Sequence, residues 1–60
     1  REGAYYKREL PKGHKIKVSD IIKKRPSLGI RARDIKMVVN KRLKNTVKAN
    51  SPIFFKDILK

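Results

Sequence analysis

The chain has 60 residues and a net charge of +13, with 18 Lys and Arg against 5 Asp and Glu, no cysteine and a single histidine, His14. That length supports one small domain burying about 60% of its unfolded surface, with little room for an enclosed active site. The missing cysteines exclude a disulfide framework and a thiolate metal site, and His14 alone cannot build a metal centre.

In chain order, Ala4 to Leu10 has the aromatic and apolar character of a strand, closed by the turn residues Pro11-Lys12-Gly13. His14 follows in that turn as a solvated loop residue. Lys15-Ile16-Lys17-Val18 alternates charged with apolar residues, as a strand with one buried and one wet face does. Ser19 is placed to cap one helical turn holding Asp20 and Ile21. Ile22 to Arg25 leaves it as an extended piece that Pro26 terminates. Ser27, Leu28 and Gly29 form a loop, with Gly29 the natural site of a positive φ. A short helix fits Ala32 to Val38, with Asn40 ending it, and Arg42 to Val47 alternates as a half-buried strand. After a turn at Ala49-Asn50-Ser51-Pro52, Ile53 and Asp57-Ile58 bring back a strand and a turn. Leu28, Ile30, Ile35, Val38 and Val39 are expected in the core, and Tyr5, Tyr6, Phe54 and Phe55 in the core or an interface.

Those last elements repeat the first. Ile16 and Ile53, Asp20 and Asp57, and Ile21 and Ile58 are each 37 positions apart, and Gly13 and Asn50 occupy the turn in the same register. Two repeats this short bury their apolar faces only against each other, so a pseudo-two-fold unit is expected, mostly β with short helical turns. Whatever is unique lies between the copies, in Lys23-Lys-Arg25-Pro26-Ser-Leu-Gly29-Ile30-Arg31-Ala-Arg33-Asp34-Ile35.

The apolar runs Met37-Val38-Val39 and Ile53-Phe54-Phe55 fall far below the ~20 residues of a membrane helix. The charge points to an anionic partner, but it is spread over the whole chain rather than gathered in a tail. No Ser-His-Asp set, glycine-rich phosphate loop or close carboxylate pair is present, so no catalytic residue is assigned. Asp20, Asp34 and Asp57 are read as capping or turn residues. The chain opens on Arg1 and is expected to be part of something longer.

In order, the turn with Lys12-Gly13, Asp20-Ile21, Arg25-Pro26-x-x-Gly29-Ile30, Asp34-Ile35 and Pro52-Ile53 with Asp57-Ile58 resemble the SAF, or antifreeze-like, domain at the C-terminus of sialic acid synthases. The resemblance spans about Ala4 to Ile58 and implies a β-clip fold, with residues 1–60 as one domain at the end of a TIM-barrel synthase. Such enzymes condense phosphoenolpyruvate with an N-acetylated amino sugar. The domain covers the active site of the partner subunit in a swapped homodimer, with cytoplasmic placement. The resemblance puts the substrate contact on Arg25, supported by Pro26 and Gly29. The neighbouring Arg31 and Arg33 either extend that patch as an anionic contact or face the parent's own barrel. It implies no cofactor or metal on these residues and a divalent metal on the barrel. A guanidinium with several fixed donors suits the carbonyl and hydroxyls of a sugar better than a mobile ammonium does.

Two other functions compete. Ice binding, found in type III antifreeze proteins of the same fold, needs a flat and weakly charged face, which the lysines oppose; thermal hysteresis discriminates it. Nucleic-acid or polyanion binding follows from the charge, and its affinity would fall steeply with salt. It is disfavoured because a domain this small needs its aromatics for packing.

Overall fold

The computed structural model describes residues 1–59. Its regular strands are β1 (Gly3–Tyr6) and β2 (Ile21–Lys24), paired antiparallel with Tyr6 opposite Ile21 and Gly3 opposite Lys24. Short 3-10 turns lie at Val18–Asp20, Ala32–Met37 and Phe55–Asp57. Isolated antiparallel bridges supply the remaining pairing, namely Gly3 with Arg31, Tyr5 with Pro52, Leu10 with Val47, Lys15 with Arg42 and Leu43 with Ile58.

The 37-residue repeat is written into the backbone hydrogen bonds. Leu10 and Val47 are equivalent positions, and they bond to each other: Leu10 N–H donates to Val47 O (3.0 Å) and Val47 N–H to Leu10 O (2.9 Å). A reciprocal pair of equivalent residues sits on a two-fold axis. Around it the bonds come in matched pairs. Tyr6 N–H to Ser51 O (2.9 Å) mirrors Leu43 N–H to His14 O (3.1 Å), and Lys7 N–H to Asp20 O (2.8 Å) mirrors Lys44 N–H to Asp57 O (2.7 Å). Ile53 N–H to Ala4 O (3.0 Å) mirrors Ile16 N–H to Lys41 O (2.8 Å). Gly13 (φ 88°) and Asn50 (φ 65°), the turn residues in matching register, both take the left-handed conformation, and Asn40 (φ 71°) ends the central turn the same way.

The core follows the same symmetry. Tyr6, Leu10 and Ile16 are buried opposite their equivalents Leu43, Val47 and Ile53, with Ile30 and Val38 from the intervening segment filling the middle. Tyr6 is buried with its hydroxyl unpaired among the described residues. Burial, with the Asp57 carboxylate adding to it, pushes the phenol up to about 12. Its equivalent is Leu43, so the fold needs no hydroxyl there. Tyr6→Phe is expected to leave stability unchanged or raise it by about 1 kcal/mol, read from the thermal midpoint, because a buried unsatisfied group is removed.

Several expectations are corrected. The first strand stops at Tyr6 because the chain bends at Lys7-Arg8, and Leu10 returns only as a single bridge. Val18 is not the buried face of a strand: Ile16 is buried, while Val18 starts a 3-10 turn and is 67% exposed. Arg42 to Val47 pairs through single bridges rather than as a strand, since the axis crossing at Val47 forces a new direction every few residues. Ser19 lies inside the turn it was expected to cap, and the Asp20 carboxylate accepts the Lys17 N–H instead (3.0 Å). Leu28 is 62% exposed and Phe54 and Phe55 are 38% and 50% exposed, so none of the three belongs to the core. Among the described residues no helix is long and apolar enough to cross a membrane.

Candidate functional site: an arginine cleft beside a clamped loop

Residues 25–30 connect β2 to the central turn, and backbone contacts hold them at both ends. Arg25-Pro26 is a cis peptide, and the Pro26 carbonyl accepts a hydrogen bond from the Tyr5 hydroxyl. The Lys24 ammonium lies over the Tyr5 ring, 4.7 Å from its centroid, an attractive cation–π placement. At the other end Ile30 bridges both copies, its N–H donating to Ile53 O (2.8 Å) and its carbonyl accepting from Ala4 N–H (3.1 Å).

Gly29 serves this clamp differently from expected. It does not take a positive φ. Its requirement is space, because a Cβ there would lie 2.1 Å from the Ile53 carbonyl oxygen. Gly3 plays the same part under the loop, where a Cβ would come within 2.8 Å of the Ser27 backbone. Two strands of chain pass the loop at backbone contact, and only glycine permits that approach.

Arg25 projects from the clamped loop and is exposed. With Arg31 and Arg33 it lines a shallow cleft of about 400 Å³, completed by Arg1, Glu2 and Ala32. The Gly3–Arg31 bridge and the Ala32 N–H to Glu2 O bond (3.2 Å) bring the N-terminal residues to this edge. Among the described residues the ion pairs are Arg8–Asp20, His14–Asp20 and a loose Arg33–Asp34 contact at 4.0 Å, so no carboxylate holds Arg25. The cleft gathers four guanidiniums against one carboxylate, a field suited to oxygen-rich or anionic ligands. Among the described residues no group of three His, Cys, Asp or Glu comes together as a metal site.

A second charged cluster lies away from the cleft. Asp20 is fully buried, and its carboxylate accepts from Arg8 Nη2 and from Lys17 N–H while lying 2.9 Å from His14 Nε2. Burial pushes this carboxyl up, but the hydrogen bonds from His14 and Lys17 and the charges of Arg8 and His14 outweigh it and hold it below its ordinary range. His14 is therefore half-buried and engaged, not a solvated loop residue. The repeat carried a signal for this cluster: Arg8 and Asp20 are equivalent to Asn45 and Asp57, which also bond to each other (3.0 Å).

The architecture defines a class: a pseudo-two-fold β-clip that presents a rigid arginine-bearing loop between its two copies. A family model for the SAF domain matches residues 1–59, and the chain belongs to that family. No curated protein matches it.

Proposed function

We propose that this SAF domain is the substrate-capping part of a sialic acid synthase-like enzyme. It covers the partner subunit's active site in a swapped homodimer, where the barrel condenses phosphoenolpyruvate with an N-acetylated amino sugar. Arg25 supplies the contact to the sugar. The observation that carries this reading is the contrast between backbone and side chain at the Arg25-Pro26 step. The loop is pinned through Tyr5, Ile30 and the close approach at Gly29, while the guanidinium it carries is exposed and, among the described residues, unpaired.

Such an arrangement suits a donor that meets a ligand from outside the domain, because the ordering cost of the loop is met on folding. Planar guanidinium donors fit an N-acetyl carbonyl and neighbouring hydroxyls, and Arg31 and Arg33 raise the local potential toward any anionic group nearby. The domain itself performs no bond-making step; that chemistry would fall to the barrel of the parent chain.

The test is phosphoenolpyruvate-dependent condensation by the full parent chain over a panel of N-acetylated amino sugars. Arg25→Ala is expected to lower kcat/KM for the true sugar by about 100-fold, and Arg25→Lys to recover only part of it, since the ammonium lacks the fork of donors. Unchanged kinetics in Arg25→Ala would reduce Arg25 to a surface charge.

A further inference from the structure

The second copy carries two aromatics that the fold does not require. Phe54 and Phe55 stand where the first copy has Lys17 and Val18, at the start of equivalent 3-10 turns. Both turns close with the same bond, Asp20 N–H to Lys17 O (2.9 Å) and Asp57 N–H to Phe54 O (3.2 Å). A lysine and a valine therefore suffice to build this turn, and the two phenyl rings do not serve the core, being 38% and 50% exposed.

Phe55 is the shared wall of two hollows. One, of about 400 Å³, also holds Met37, Ile58 and Leu59; the other, of about 370 Å³, runs past Leu28 and Phe54. Leu28, Met37 and Leu59 are themselves exposed, and the two hollows meet at Phe55 to give an apolar strip. Lys41 and Lys44 border it at one end, while at the other Arg31 stands beside the carboxylate of Asp34, so the cationic edge is the lysine end.

We propose that this strip is a docking surface for a protein segment with apolar side chains at its centre and carboxylates at its rim. Exposed apolar surface of this kind marks an interface, and the bordering cations select the sign of the partner. A second copy is a poor occupant, since it would set cations on cations between two chains of +13 each. Two concave hollows call for projecting side chains to fill them, whereas a bilayer surface takes up protruding ones. The inference does not rest on the role given to Arg25, because strip and cleft share only Arg31 at their border.

The experiment is an NMR titration of the isotope-labelled 60-residue chain with a synthetic peptide alternating leucine with glutamate. Polyglutamate serves as the control for charge alone, and phosphatidylcholine vesicles containing phosphatidylserine as the control for a bilayer. Amide shifts are expected at Met37, Lys41, Phe55 and Leu59, with affinity for the leucine-glutamate peptide about tenfold or more above that for polyglutamate. Phe54→Lys with Phe55→Val writes the first copy's pair into the second; it is expected to keep the fold and lose about tenfold in affinity. Lys41→Glu with Lys44→Glu leaves the aromatics in place and is expected to lose affinity as well, which decides the matter if the aromatic variant does not fold. Equal affinity for both peptides, shifts confined to the Arg25 cleft, unchanged affinity in the variants, tighter binding to the vesicles, or self-association through the strip would each overturn the proposal.

Discussion

Gly29→Ala should unfold the domain or cost more than ~4 kcal/mol, the largest effect expected of any single methyl added to this chain. The added Cβ would sit 2.1 Å from the Ile53 carbonyl oxygen and 2.9 Å from its carbon, and both neighbours are backbone. A flexible side chain could swing aside, but this carbonyl cannot, because it accepts the Ile30 N–H that links the unique loop to the second copy (2.8 Å). Relief requires lifting residues 29–30 off Ile53, which breaks that bond and opens the core at Ile30 and Ile53 together. Chemical denaturation of the variant beside the wild type measures the loss. A Gly13→Ala control should cost far less, about 1 kcal/mol, because nothing lies within 4 Å of its Cβ position and only its φ of +88° is strained. Equal costs at the two glycines would show that conformation, not close approach, governs Gly29.

Asp20→Ala is expected to cost about 3 kcal/mol, since it removes the acceptor that Arg8, His14 and Lys17 share and leaves a polar void in the interior. Part of that stability depends on pH. The folded carboxyl titrates below its unfolded value of about 3.9, so its contribution is complete above that pH and is lost as pH falls through the lower folded value. Thermal midpoints measured between neutral and strongly acid pH should therefore fall on acidification in the wild type, with a shallower fall in Asp20→Asn, which cannot ionise. Parallel curves for the two chains would mean that Asp20 carries no linked stability.

Much of this architecture was legible because the chain repeats itself. A constant interval of 37 residues located the turn residues Gly13 and Asn50, the paired Ile16 and Ile53, and the two aspartate turns, since equivalent backbones impose equivalent demands. The interval does not carry the direction of the chain between anchors. Alternation suggested strands at Lys15–Val18 and Arg42–Val47, yet pairing there is by single bridges, because each segment meets a different neighbour every few residues. Periodicity assumes one persistent face, and a β-clip this small offers none for long. Gly29 shows the same limit: glycine marks a backbone need, but whether that need is a positive φ or a close approach depends on Ile53, 24 positions away.

Around the candidate site, the ordered Arg25-Pro26-x-x-Gly29-Ile30 motif identified the loop, and folding places Arg25, Arg31 and Arg33 on one cleft. Arg1 and Glu2 were not foreseen as its other wall, because the long-range Gly3–Arg31 bridge and the Ala32 N–H to Glu2 O bond bring the N-terminal residues there. The Arg8–His14–Asp20 cluster was missed for a related reason. Each residue alone reads as a surface charge or a turn former, and only the closing of the first copy on itself buries the carboxylate among them. The exposure of Phe54 and Phe55 ran against composition alone, which assigns scarce aromatics to a small core. Their equivalents Lys17 and Val18 are the internal comparison that reveals them as surplus to folding.

The central claim is that Arg25 acts on the active site of the other subunit. It is tested most directly by mixing two impaired parent chains, one carrying Arg25→Ala with an intact barrel, the other an intact SAF domain on a barrel disabled in its chemistry. Refolded together, they are expected to regain condensation activity, because the hybrid dimer places a native Arg25 over a native barrel. Mixtures no more active than the two chains measured separately, with hybrid dimers shown to form, would contradict the account.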